Sequence, residues 1–177
     1  IDNLMIGIKD KHFPLYRKVD ATNIGNLTNC KNTTGDTTGA NCPDNSKLGW
    51  YINLDPNSPS TGMKVSAEPT VAGGVVYFPV YQPNPIPCKL GSSFICATDD
   101  ECGTNMSSQL GTMTATQSCY KVGTGALSKI IVFGLDLYAN IAGKTDAGIG
   151  KSATDIVIIN SASSDSTSLR LNWRENF

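Results

Sequence analysis

Lys64-Val65-Ser66-Ala67-Glu68-Pro69-Thr70-Val71-Ala72-Gly73-Gly74-Val75-Val76-Tyr77-Phe78 reads as two β-rich runs folded back on each other at Ala72-Gly73-Gly74. A Gly-Gly pair supplies the positive φ angles that a tight hairpin needs, so the segment predicts a β-hairpin. Ahead of it, across a Pro/Ser/Gly turn, lies a Trp-bearing strand, Gly49-Trp50-Tyr51-Ile52-Asn53-Leu54. The pattern recurs. Leu127-Ser128-Lys129-Ile130-Ile131-Val132-Phe133-Gly134-Leu135-Asp136-Leu137-Tyr138-Ala139-Asn140-Ile141 aligns at an offset of 61 residues, with Tyr138 on Tyr77 and Gly134 on Gly73. A second Trp strand, Leu169-Arg170-Leu171-Asn172-Trp173-Arg174-Glu175, closes this unit. One small sheet cannot bury both its faces alone, so repeated units of short strands predict a β-propeller or a related array.

The remaining segments fit this reading. A first strand, Asn3-Leu4-Met5-Ile6-Gly7-Ile8, leads into Asp10-Lys11-His12-Phe13-Pro14, and the stretch from Thr22 to Ser46 has loop composition. The hairpin expected at 63–82 is followed by the Pro-rich turn Gln82-Pro83-Asn84-Pro85-Ile86-Pro87 and a strand at Ser93–Thr98. Residues 103–118 read as polar loop, 126–142 as the second hairpin, and Asp155–Ile159 as a further strand. Helical periodicity is sustained nowhere. The expectation is an all-β partial β-propeller with about two complete four-stranded antiparallel blades plus part of a third. Its expected divisions are 1–54, a partial blade carrying the Cys30/Cys42 loop; 55–122, a second blade with cysteine-rich insertions; and 123–177, the C-terminal blade. Trp50 and Trp173 end equivalent units, which assigns them to blade-to-blade packing. A closed propeller needs at least about four blades, so this chain is expected to be completed by other units.

Composition bounds the function. The chain has 177 residues, of which 40% are hydrophobic and 16% charged, enough for one domain with a core. A net charge of −1 lacks the dense basic face of a nucleic-acid binder. No apolar run approaches the ~18 residues of a membrane-spanning helix. The chain begins at Ile1 with no Met, basic n-region or apolar h-region, and is expected to be a processed product or a piece of a longer protein.

The even set Cys30, Cys42, Cys88, Cys96, Cys102 and Cys119 lies in or beside Gly/Asn/Thr/Pro-rich loops, the usage of disulfides formed in an oxidising compartment. A zinc site is disfavoured, because no Cys-x-x-Cys occurs and the single His12 is far from every cysteine in sequence. Cys30 and Cys42 bracket a loop without core-forming residues, so a covalent closure there replaces missing packing. The other four allow three pairings. Cys102 with Cys119 and Cys88 with Cys96 is the preferred one.

Catalytic constellations are not evident. A lone His without a neighbouring nucleophile makes no triad. Ser128-Lys129 is adjacent on a strand, so its side chains diverge. Gly73-Gly74 and Gly123-Thr124-Gly125 are not followed by the Lys-Ser/Thr and helix of a phosphate cradle. Asn26-Leu27-Thr28, Asn32-Thr33-Thr34 and Asn105-Met106-Ser107 are glycosylation sequons in segments expected to be exposed.

The ordered set of elements resembles the PilC/PilY family of type IV pilus biogenesis factors and tip adhesins. It comprises Leu4-Met5-Ile6-Gly7-Ile8-Lys9-Asp10-Lys11-His12-Phe13-Pro14, Gly49-Trp50-Tyr51, Gly62-Met63-Lys64-Val65 and Gly73-Gly74-Val75-Val76-Tyr77-Phe78. Pro87-Cys88, Val122-Gly123-Thr124-Gly125-Ala126-Leu127-Ser128-Lys129 and Trp173-Arg174-Glu175 complete it. The resemblance covers nearly the whole chain. It implies the C-terminal part of a β-propeller, an extracellular position at the pilus tip or outer-membrane surface after export through the periplasm, and a role in pilus assembly and attachment. The implied partners are the remainder of its own propeller or another pilus protein, minor pilins, and a host or abiotic surface, with no nucleic acid. The family's calcium loop of alternating Asp/Asn has no counterpart here. Asp99-Asp100-Glu101 is the only acidic cluster, and adjacent strand residues point to opposite faces. No cofactor or metal is therefore expected in this chain, nor catalysis. Two alternatives remain: a quinone-cofactor dehydrogenase propeller, of whose Ala-x-Asp repeat only Ala97-Thr98-Asp99 is present, and a subunit of an extracellular filament. Open sheet edges at Asn3–Ile8 and near Trp173 are expected to be covered by a partner.

Overall fold

The computed structural model describes residues 3–8, 24–26, 49–54, 62–101, 103–110, 119–146 and 156–160. Cys30, Cys42, Cys102, His12, Trp173 and the strand expected at 168–175 lie outside the described residues. The described chain is all-β. Its strands are β1 (Leu4–Ile8), β2 (Ile24–Asn26), β3 (Gly49–Asn53), β4 (Lys64–Val65), β5 (Thr70–Ala72), β6 (Val75–Gln82), β7 (Ser92–Asp99), β8 (Cys119–Leu127), β9 (Ile131–Phe133), β10 (Asp136–Thr145) and β11 (Ile156–Asn160). A single 3₁₀ turn, Ser107–Leu110, is the only helical element among the described residues.

Both hairpins form where turn chemistry places them. Ala72 opposes Val75 across Gly73 and Gly74, whose φ angles of 58° and 79° fit a type I′ turn. Phe133 opposes Asp136 across Gly134 and Leu135, and only Gly134 is left-handed, at φ 62°. The expectation that these hairpins occupy separate sheets is not met. They belong to one curled eight-stranded sheet of order β11-β10-β8-β7-β6-β4, with β5 also on β6 and β9 also on β10. A separate three-stranded sheet has the order β1-β3-β2, with β2 parallel to β3.

The physical reason is β8. Its first half, Cys119–Thr124, pairs with β7, and its second half, Gly123–Leu127, pairs with β10. The expected division at 122/123 thus runs through the middle of one strand. No turn separates the two halves. Instead β8 carries an extra residue, Val122, between Lys121 opposite Phe94 and Gly123 opposite Ser93, and two residues further on Gly125 takes a φ of 106°. The buried Ser93 hydroxyl donates to the Gly125 carbonyl, and Gly125 N–H donates to Gly91 O at 2.9 Å. A Cβ on residue 125 would lie 2.3 Å from the Ala142 carbonyl oxygen. Gly125→Ala is therefore expected to destabilise the protein by about 1–3 kcal/mol from backbone strain alone. An unchanged urea midpoint for this variant would reject the φ at residue 125 as a glycine-requiring feature.

Three sheet units stack through this arrangement: β1-β3-β2 first, then β4/β5-β6-β7 with the start of β8, then the end of β8 with β9, β10 and β11. Alternate residues of β6 serve two cores. Val76, Phe78 and Val80 pack with Trp50, Ile52 and Leu54 of the first unit. Val75 and Tyr77 point the other way, joining Ile95, Ala97 and Val122 against Leu137, Ala139, Ile141, Val157 and Ile159 of the third. A strand buried on both faces reads as a continuous apolar run, which is why Val75–Val80 shows no alternation. Val76, Phe78 and Val80 correspond to Leu137, Ala139 and Ile141 at the 61-residue offset. Each set faces the unit before it, so the sequence repeat is also a repeat of packing.

Candidate functional site

The two repeats touch at matching positions. Ser66 Oγ donates to Leu127 O at 3.2 Å, 61 residues on, and Thr70 Oγ1 donates to Ile130 O at 2.5 Å, 60 residues on. Between them, Lys129 Nζ lies 2.9 Å from Glu68 Oε2, again 61 residues apart. The β4–β5 line and the β8–β9 line thus run side by side in the same direction, joined by side chains rather than by a backbone ladder. Both lines are interrupted at this seam. Ser128 Oγ fills one interruption by accepting the Asn140 N–H at 3.0 Å and donating to Lys129 O at 3.0 Å. The Ser128 hydroxyl and the Lys129 ammonium therefore serve different partners and form no dyad.

Lys129 holds the Glu68 carboxyl below its ordinary value, first through the hydrogen bond and then through its charge. A carboxylate with a depressed pKa contributes stability above its unfolded pKa and loses it as pH falls through the folded pKa. Both groups are exposed, so water and salt screen the pair and the effect on stability is small. Lys129→Gln is expected to move the Glu68 carboxyl titration upward toward 4.5. A carbon-detected NMR titration that shows the same Glu68 midpoint in both proteins would disprove the pairing.

The cysteines differ from expectation. Cys96 is bonded to Cys119, 23 residues away, and Cys88 is an exposed free thiol at φ 63°. The preferred pairs Cys102–Cys119 and Cys88–Cys96 are thereby corrected. Cys96 and Cys119 oppose each other directly in the β7–β8 ladder, whereas Cys88 sits in the loop beyond the Gln82–Ser92 rung. That loop is organised by Asn84, whose side chain accepts from Ile86 N–H at 2.9 Å and donates to Leu90 O at 3.2 Å.

Trp50 lies where a packing residue should. It is 2% exposed, between the first unit and the β6–β7 face, and its Nε1 donates to Asp100 O at 3.4 Å. Asp99 ends β7 and its carboxylate accepts the Glu101 N–H at 3.0 Å, so it closes a local turn. Among the described residues no three His, Cys, Asp or Glu side chains gather. The sequon residue Asn105, expected to be exposed, is instead buried, and its side chain accepts the Ser107 N–H at 2.8 Å. An isolated bridge to Thr98 draws it inward, a tertiary contact that its loop-like composition does not announce.

Apolar side chains stand exposed at both ends of the stack. On β1, Leu4, Ile6 and Ile8 are 43%, 45% and 60% exposed, with Tyr51 opposite Ile6. On the third unit, Ile131 and Phe133 are 61% and 73% exposed. Tyr138 lies opposite both Ile131 and Ile158. The Tyr138 hydroxyl donates to Asp136 at 3.3 Å, and desolvation followed by the Asp136 charge raises its pKa. The sequence reading anticipated the β1 flank but missed the second face. Its signal was Ile131-Val132-Phe133, where every residue is apolar and only one parity can enter the core. A shallow open depression over β8 and β10 is lined by small residues including Ala126, Ser128, Ala142 and Gly143.

No protein-family model matches the chain, and neither a curated protein nor a solved structure matches it. Among the described residues no helix is long and apolar enough to cross a membrane. The Cys96–Cys119 disulfide is consistent with an extracellular or periplasmic location.

Proposed function

We propose that this chain is a non-enzymatic binding and assembly module of the PilC/PilY type, part of a β-propeller carried at the pilus tip or outer-membrane surface. The observation that carries the propeller part is the packing repeat. Val76, Phe78 and Val80 face the preceding unit as Leu137, Ala139 and Ile141 do, one repeat later. Blades arranged radially pack face to face in this manner. The first strands of successive blades run side by side around the axis, the relation of β4–β5 to β8–β9 across the Ser66, Glu68 and Thr70 seam. β8 then serves as the last strand of one blade and the first of the next. The ordered family resemblance carries the pilus part, and a disulfide-bonded β-fold suits an exported protein. Partners would be further units of the same propeller, minor pilins, and the surface to which the pilus attaches.

The test is genetic. Deleting the coding sequence for residues 1–177 should reduce the number of surface pili and the attachment of cells. Unchanged piliation and attachment would reject the pilus reading. Quinone-dependent dehydrogenase activity lost in the same deletion would favour the enzyme alternative instead.

A further inference from the structure

We infer that the connection between β6 and β7, residues 83–91, is a docking loop for an anionic lipid surface. Its composition is unusual for an exposed turn. Ile86 and Leu90 are 51% and 57% exposed, Pro83, Pro85 and Pro87 stand exposed beside them, and Lys89 is the loop's only charge. The loop is nonetheless braced. The Asn84 side chain accepts the Ile86 N–H and donates to Leu90 O. Lys89 N–H donates to Ile86 O at 3.3 Å, and Gly91 N–H donates to the Tyr81 hydroxyl at 2.9 Å. The prolines carry no N–H, and those of Ile86, Lys89 and Gly91 are already engaged. Few donors are left to lose water when the loop enters an apolar medium, which lowers the usual penalty for burying backbone. A braced loop also has little conformational entropy to lose on binding.

Charge selects the partner. The strands on either side set lysines at the base of the loop. Lys64 opposes Tyr81, and the row Gln82–Ser92–Thr124–Lys144 runs across β6, β7, β8 and β10. At about 5 Å per strand, Lys64 and Lys144 flank the loop roughly 20 Å apart. Both are exposed, and neither they nor Lys89 enter an ion pair among the described residues. Lys121, at the same end, is matched by Asp146 at 3.3 Å. The acidic side chains Asp99, Asp100, Glu101 and Asp136 lie at the opposite end of these strands, beside the Gly73-Gly74 and Gly134 turns. One end of the sheet is thus basic and the other acidic. An apolar loop with cations set back at its base matches the layering of a lipid interface, where acyl chains lie beneath anionic headgroups. The lysines are too widely spread to rim a single pocket, which favours a lipid surface over a protein groove. This inference does not rest on the pilus reading.

The experiment is co-sedimentation of the purified chain of residues 1–177 with lipid vesicles. The chain should bind vesicles of equal parts phosphatidylglycerol and phosphatidylcholine and ignore vesicles of phosphatidylcholine alone. Raising the salt from ~0.1 M to ~1 M shortens the screening length from about 10 Å to about 3 Å and should release it. The double variant Ile86→Ser with Leu90→Ser should lose affinity by about tenfold or more, as should Lys64→Gln with Lys144→Gln. Val71→Ser removes an apolar side chain that is 61% exposed at the acidic end, and this variant should bind like the parent. All the substituted positions are exposed, and far-UV circular dichroism checks that each variant keeps the fold. Overturning results are no binding to the anionic vesicles, binding indifferent to salt or to phosphatidylglycerol, either double variant binding undiminished, or Val71→Ser losing as much as they do. A chain that ignores the anionic vesicles would leave a protein groove as the loop's occupant.

Discussion

Replacing Trp50 with alanine is expected to destabilise the protein by about 3–5 kcal/mol, the range for truncating a buried large aromatic side chain. The upper part of the range applies, because the site cannot collapse. The indole lies between two glycines. A Cβ placed on Gly7 would fall 2.3 Å from Trp50 Cε2, and one on Gly103 would fall 2.3 Å from Cδ2. The ring thus occupies space that backbone, not side chain, has made for it, and Gly103 is fixed at φ 70°. Removing the indole leaves a cavity walled by Gly7 and Gly103 with Ile52, Phe78 and Val80 beyond. It also leaves the Asp100 carbonyl without its indole N–H donor. Trp50→Phe, which keeps an aromatic ring and loses the N–H, should retain part of the stability. Amide exchange separates local from global loss: β1 and β3 should open first, since their docking on the β6–β7 face depends on this ring. A loss of stability below about 1 kcal/mol for Trp50→Ala would show that the first unit docks without it.

The fold was legible where local chemistry decides it. Gly73-Gly74 and Gly134 announce hairpins because L side chains resist their φ angles, and nothing distant can alter that. The 61-residue offset was legible too, as was the burial of Trp50, whereas Ser128 and Lys129, read as adjacent on a strand, lie in the connection between β8 and β9. What escaped depends on how strands are shared. Val122-Gly123-Thr124-Gly125 has the composition of a boundary, yet Gly125 serves as a bend inside β8, since only a residue without Cβ can approach Ala142 so closely. The same dipeptide chemistry codes for turns and for bent strands, and pairing partners far along the chain choose between them. Tyr77 and Tyr138 show a second limit. They align in the repeat, but Tyr77 is buried against the third unit while Tyr138 faces outward from it. Equivalent positions become unlike because Tyr77 meets the third unit while no described residue packs over Tyr138 in the same way. The exposed apolar face at Ile131 and Phe133 escaped partly for this reason, and Asn105 escaped because its bridge to Thr98 is a tertiary contact.

Replacing Cys96 and Cys119 together with alanine is expected to lower stability by about 3 kcal/mol, the loop-closure value for a short disulfide loop. At this chain length that corresponds to a fall in Tm of roughly 6–12 °C. The pair, rather than either single variant, is the informative change, since a single substitution leaves a free thiol inside the Trp50 core. Cys96 is fully buried there and Cys119 packs against the same cluster. The two oppose each other in the β7–β8 ladder with Cα atoms 3.9 Å apart. Cys88 cannot compete for Cys96. The rungs from Gln82–Ser92 to Phe78–Cys96 separate them, a distance of about 13 Å at the rise of an extended strand. Sequence spacing favoured Cys102 with Cys119 because that pair closes a polar loop, but strand register brings together residues by opposition, not by the character of the loop between them. Non-reducing peptide mapping should therefore recover a Cys96–Cys119 cross-link, with Cys88 alkylated in the unreduced protein. Recovery of Cys102–Cys119 or Cys88–Cys96 would require a different β7–β8 register. A double alanine variant as stable as the parent would mean that the ladder and the Trp50 core hold these strands without the covalent bond.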